Sequence, residues 1–192
     1  TLVTTVLMAT LVVGPFYLAY GLGLGSALIG LVMSVGPVVV ALTGIPAGRL
    51  VDRLGAQRLT ILGLVTIMVG AFGLTLIPFG FGIPGYLAPI AFITFGYALF
   101  QTANNTAVMK DVPSDRRGAI SGLLNLSRNL GLITGTSVMG ALFALASGTS
   151  EITEASAEAV AGGMRITFAV AAGLILVALI SANVSRSISH LQ

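Results

Sequence analysis

Few residues in this chain can do chemistry, and their positions are informative. Among 192 residues there is no cysteine, one histidine and six carboxylates. Without cysteine there is no thiol nucleophile, no thiolate metal site and no disulfide framework. His190 stands alone near the end, where a solvated surface histidine is the simplest reading. There is no glycine-rich phosphate loop, metal-ligand cluster or nucleophile–base pair. The sequence therefore predicts neither an enzyme nor an ATP-driven pump, and it predicts no cofactor and no metal.

What remains is one arginine and a set of amides and hydroxyls inside apolar sequence. Arg128 lies about ten residues into an apolar run, roughly 15 Å along a helix. A charge at that depth is costly, and by default it marks a functional position facing a bundle interior. It can attract an anionic group or pair with a carboxylate from elsewhere. Ser121 and Asn125 share its helical face, and Asn129 lies one step round. On the preceding segment Tyr97, Gln101, Asn104 and Asn105 follow helical spacing. Two such stripes predict either a wet cavity for a substrate or interhelical hydrogen-bond glue. Spacing alone leaves both open.

The elements that must hold these residues are membrane helices. The chain is 56% hydrophobic and 8% charged, where a soluble domain carries about 25% charged residues. Its mean hydropathy is +1.04. Six apolar runs reach the roughly 20 residues that span a bilayer. They cover about 2–20, 24–47, 59–78, 85–109, 118–146 and 164–184. The expected fold class is all-α: a polytopic membrane protein whose residues 1–192 form a single six-helix bundle in the lipid bilayer. A β-barrel needs roughly ten-residue alternating segments, and these runs are continuous and too long. High hydropathy excludes disorder.

Charge orients the bundle. Seven of the nine basic residues fall on one alternating set of connectors: Arg49, Arg53 and Arg58, then Lys110, Arg116 and Arg117, then Arg186. Connector 148–163 has only Glu151, Glu154 and Glu158, with Arg165 just past it. The positive-inside rule puts the basic set and both termini in the cytoplasm. The net charge of +3 is thus a topology signal, and no nucleic-acid partner is expected. Small-residue pairs Gly30/Ser34, Gly63/Gly70, Gly118/Gly122 and Gly131/Gly135 predict close helix packing. Pro15, Pro37 and Pro46 predict bends. A three-plus-three inverted repeat is possible for six helices, though no residue-level self-similarity marks one. The first residue is Thr1, and nothing near it resembles a signal peptide, so a piece of a longer chain is expected.

Between the second and third runs stands Gly48-Arg49-Leu50-Val51-Asp52-Arg53-Leu54-Gly55-Ala56-Gln57-Arg58. Gly48 and Gly55 would permit a tight turn, and Asp52 and Arg53 could pair with each other or with a neighbouring bundle. This stretch resembles the signature loop of the major facilitator superfamily, with Ala56-Gln57 departing from its usual basic residues. Val112–Gly131 and Val13–Leu18 resemble the C-terminal half of fourteen-helix multidrug drug:proton antiporters. The resemblance implies half of a secondary transporter in a bacterial inner membrane. Its Gly48, Asp52, Arg53, Gly55 and Arg58 would latch a cytoplasmic gate onto a second six-helix half. It also implies a small-molecule substrate and protons as partners. All six acids fall outside the predicted helices, so the proton carrier would belong to the partner half. The alternative is a half-size subunit, acting as a homodimeric transporter or as a non-transporting assembly or regulatory protein.

Overall fold

Proline and glycine punctuate the helices of the computed structural model, which describes residues 1–76, 78–148 and 155–189; the side chains of Phe79 and of residues 184–189 are outside that description. Helix α1 runs Leu2–Phe16. Pro15 cannot donate a backbone bond, and the chain past it widens into a π-helical turn, Tyr17–Gly21. Helix α2 is Ser26–Leu54, α3 is Ala56–Leu76, and α4 is Gly82–Met109 after a 3-10 turn at Phe79–Phe81. Helix α5 is Arg117–Ala146 and α6 is Ala157–Ser189. Among the described residues all six helices are long and apolar enough to span a membrane.

Two boundaries differ from the hydropathy reading. Helix α2 does not end at Ala47 but continues through the charged motif to Leu54. Its 29 residues make about 43 Å, longer than the roughly 30 Å hydrocarbon core. Charge ended the apolar run without ending the helix. Likewise α6 begins at Ala157, not near Met164. The acids are therefore not all in loops: Asp52 lies in the last turn of α2 and Glu158 in the first turn of α6. Glu151, Glu154 and His190 lie outside the described residues, as does the side chain of Arg186.

The most extensive packing is α3 against α4. A Cβ built on Gly63 would lie 2.7 Å from the Gly96 carbonyl oxygen, and one on Gly96 would lie 2.7 Å from that of Gly63. Only glycine on both sides lets the backbones approach this closely. Helix α5 crosses α1 at Gly131, whose carbonyl accepts a 3.1 Å hydrogen bond from Thr5 Oγ1. By contrast Gly30, Gly118 and Gly122 have nothing within 4 Å of a built Cβ, so these predicted packing positions meet no neighbour here. The core lies among α1, α3, α4, α6 and the later turns of α5, around Phe143, Phe168, Leu64 and Ile93.

The neighbour pattern has a hidden order. Helix α1 packs on α5 and α6, α4 packs on α2 and α3, and α3 packs on α6. Exchanging α1 with α4, α2 with α5 and α3 with α6 leaves that pattern unchanged. In a bundle whose helices alternate in direction, this is the contact pattern of an inverted three-plus-three repeat. It also leaves α2 and α5 least enclosed: 17% and 22% of their spanning stretches are buried, against 56% in α1 and α4.

Candidate functional site

Helix α4 carries Tyr97, Gln101, Asn104 and Asn105 on successive turns of one face, and α5 carries Ser121, Asn125 and Arg128 in the same manner. The structure turns these two faces toward each other. All seven line one chamber of about 390 Å³, closed along one side by the start of α1. Asn129 does not line it and points outward, exposed. Three polar residues of the wall were not picked out by sequence: Thr1, Thr4 and Ser127. Thr1 Oγ1 lies 3.0 Å from Ser127 Oγ, joining α1 to α5 beside the chamber. Polar residues at three-residue spacing in an apolar helix were the available signal for Thr1 and Thr4.

The amides make no helix-to-helix bonds. Among the described residues, the side chains of Gln101, Asn104, Asn105, Asn125 and Arg128 have no protein hydrogen-bond partner. Most of the hydroxyls behave differently: Thr94 Oγ1 donates to the Ile90 carbonyl at 2.8 Å and Thr102 Oγ1 to that of Ala98 at 2.9 Å, each within its own helix. Hydrogen-bond glue would join amides across α4 and α5. Here they face open space instead.

A second chamber of about 360 Å³ lies between α1, α2 and α4. Its walls are mainly aliphatic, with Leu7, Leu11, Val32, Met33, Val40 and Ile90. Thr10 Oγ1 donates to the Leu7 carbonyl at 2.7 Å, so that hydroxyl is already engaged by its own helix. Tyr86, also in this wall, donates its hydroxyl to Met33 Sδ at 3.8 Å and packs at a tilt against Tyr17 with ring centroids 5.7 Å apart. Tyr97 and Arg128 line both chambers. Each chamber is within the 300–1,000 Å³ range of small-molecule sites. No carboxylate is among the lining residues of either.

The charged motif is built differently from the expected loop. Gly48 is mid-helix, and Gly55 alone forms the break, at φ +82° with its N–H bonded to the Val51 carbonyl at 2.9 Å. Val51 and Leu59, on either side of that break, bury against Ala47, Leu99 and Ala103. This small cluster pins the end of α2 and the start of α3 onto α4. Asp52, Arg53, Gly55 and Arg58 remain exposed. Asp52 and Arg58 line a surface groove with Gln57, Thr106 and Lys110. Asp52 and Arg53 do not pair with each other. Arg116 instead pairs with Asp115 at 3.9 Å, both exposed, a contact worth little.

Arg165 is a second arginine inside a span. It is the ninth residue of α6, half-buried, and close enough to Tyr17 to act on it electrostatically. The sequence reading placed it beside a connector because the hydropathy run starts late.

Residues 1–136 match the family profile described as Major Facilitator Superfamily. The chain is 32% identical over 132 residues to the uncharacterized transporter YebQ of Escherichia coli (strain K12), covering 69% of this chain and 29% of that protein. It is 30% identical over 132 residues to the riboflavin transporter RibZ of Clostridioides difficile (strain 630), covering 68% and 28%. It is 27% identical over 154 residues to the multidrug efflux pump LfrA of Mycolicibacterium smegmatis, covering 76% and 31%. The chain thus spans about a third of the length of the curated relatives it matches.

Proposed function

The chain belongs to the Major Facilitator Superfamily, whose members are membrane transporters and not enzymes, and we propose that it is the C-terminal six-helix half of a secondary transporter exporting drugs or other lipophilic solutes in exchange for protons. The observation that carries this reading is the pair of chambers meeting at Tyr97 and Arg128, mid-bundle, beside the least enclosed helices. A second six-helix half on α2 and α5 would close that face. The exposed small residues Gly30, Ser34, Gly118 and Gly122 lie on those helices and suit close approach of another backbone. Substrate would then bind between the halves, and rocking of one against the other would alternate access.

The other parts follow from chemistry. Proton coupling needs a buried group whose proton affinity changes with access, normally a carboxylate. Neither chamber is lined by one, so the carrier is assigned to the second half. Asp52, Arg53 and Arg58 project from the long end of α2 and the start of α3, placed to engage that half as a gate latch. The basic connectors support a cytoplasmic position for both termini, and a bacterial inner membrane is the setting this reading takes. Relatives named for multidrug efflux and for riboflavin support a transporter scaffold that takes different cargo.

The test is reconstitution of the intact gene product in vesicles with an imposed pH gradient. Cationic, neutral and anionic lipophilic dyes are offered in turn. Gradient-dependent movement of at least one is the expected result. If none moves, with folding confirmed, the exchange reading is lost.

A further inference from the structure

The two chambers differ in chemistry and share two residues. One offers amide groups and the other an aliphatic wall. At their boundary stand the Arg128 guanidinium and the Tyr97 hydroxyl, neither with a protein hydrogen-bond partner among the described residues. The Tyr97 ring is buried, which fixes where its hydroxyl can point. Both groups donate hydrogen bonds, and one is a permanent cation. We infer that the joined chambers select an amphipathic organic monocarboxylate, with the carboxylate held by Arg128 and Tyr97 and the apolar body lying in the α1/α2/α4 chamber. This rests on the transporter reading of the same site.

The details favour that class. A planar guanidinium matches a carboxylate through two parallel bonds. A phosphate monoester would bring about −1.5 to −2 charges, and a single arginine would leave part of that uncompensated. A lipophilic cation would meet like charge at Arg128, with no carboxylate in either lining to offset it. The apolar chamber asks for no hydrogen bonds, because the hydroxyls of Thr10, Thr94 and Tyr86 are already donated within the protein. Gln101 and Asn125 in the polar chamber then suit a substituent beside the carboxylate that accepts or donates hydrogen bonds.

Three matched probes test this on the intact gene product: 1-naphthylacetate, 1-naphthylacetamide and 1-naphthylmethyl-trimethylammonium. Equilibrium binding should favour the carboxylate over the amide by about tenfold, or 1.4 kcal/mol. Arg128→Gln should erase that preference, weakening the carboxylate by about tenfold more than the amide, while Arg128→Lys should restore part of it. Tyr97→Phe should weaken the carboxylate alone. Equal binding of the ammonium probe, or an unchanged preference in Arg128→Gln, overturns the inference. Transport in vesicles is read separately. Preference without transport supports this site while the transporter reading fails. Transport without preference does the reverse.

Discussion

Tyr97 of α4 and Arg128 of α5 face each other where two chambers meet, and each lines both. Neither side chain hydrogen-bonds to a protein group among the described residues, though the two are close enough to feel each other electrostatically. The charge is therefore held in an open position, not locked in a structural pair. Its neighbours on the two helices can be tested for the same property.

Asn125→Ala should leave stability within ~0.5 kcal/mol, because its amide bonds to no protein group among the described residues. Transport by the intact gene product should fall by about tenfold, some 1.4 kcal/mol of barrier. Thermal unfolding in detergent and initial transport rates check the two halves of this prediction. A stability loss near 1–2 kcal/mol would instead make Asn125 an interhelical tie.

The α3–α4 contact should be intolerant of a single methyl. Gly63→Ala and Gly96→Ala each force a Cβ within 2.7 Å of a backbone oxygen, and overpacking of this kind costs about 1–3 kcal/mol. Gly173→Ala in α6 is the control, since a Cβ there meets nothing within 4 Å. Melting temperatures of the three variants should separate cleanly, the control staying at the wild-type value.

Water should reach the polar chamber and not the outer face of α6. The chain has no cysteine, so single cysteines report without background from its own residues. Asn125→Cys should react with a membrane-impermeant maleimide added from the cytoplasmic side. Ile166→Cys, also exposed but outside both chamber linings, should not. Equal reactivity at both sites would refute a wet cavity.

Asp52→Asn should slow transport and spare the fold. The side chain is exposed, and among the described residues it forms no ion pair. Its loss therefore costs the six-helix unit little. Transport rate and melting temperature distinguish the outcomes, and an unchanged rate would remove Asp52 from the latch.

Length of apolar run was enough to read six helices, because a helix that meets lipid must stay apolar for about 20 residues. Polar spacing was enough to pick seven residues that line one chamber, because i, i+4 and i+7 share a helical face. Asn129 shows the limit: one step of about 100° carries it off that face. The ends of α2 and α6 were not legible, since charge stops a hydropathy run but not a helix. The apolar chamber was not legible at all. Its Leu7, Val32 and Ile90 are the residue types that also fill a core, and only the backbone arrangement leaves space between them.

The exchange symmetry of the helix neighbours has a consequence for how the chain is made. Helix α1 finds its broad partner in α5, and α2 finds its own in α4. The first three helices therefore leave the ribosome before the surfaces they must bury against exist. Gly131 arrives in the bilayer long after Thr5, from whose hydroxyl its carbonyl will accept a hydrogen bond. The early triplet shares only slight contacts of its own and gains its broad ones when the late triplet is in the bilayer, a pattern that favours closure of the bundle as one event over assembly of two modules in turn.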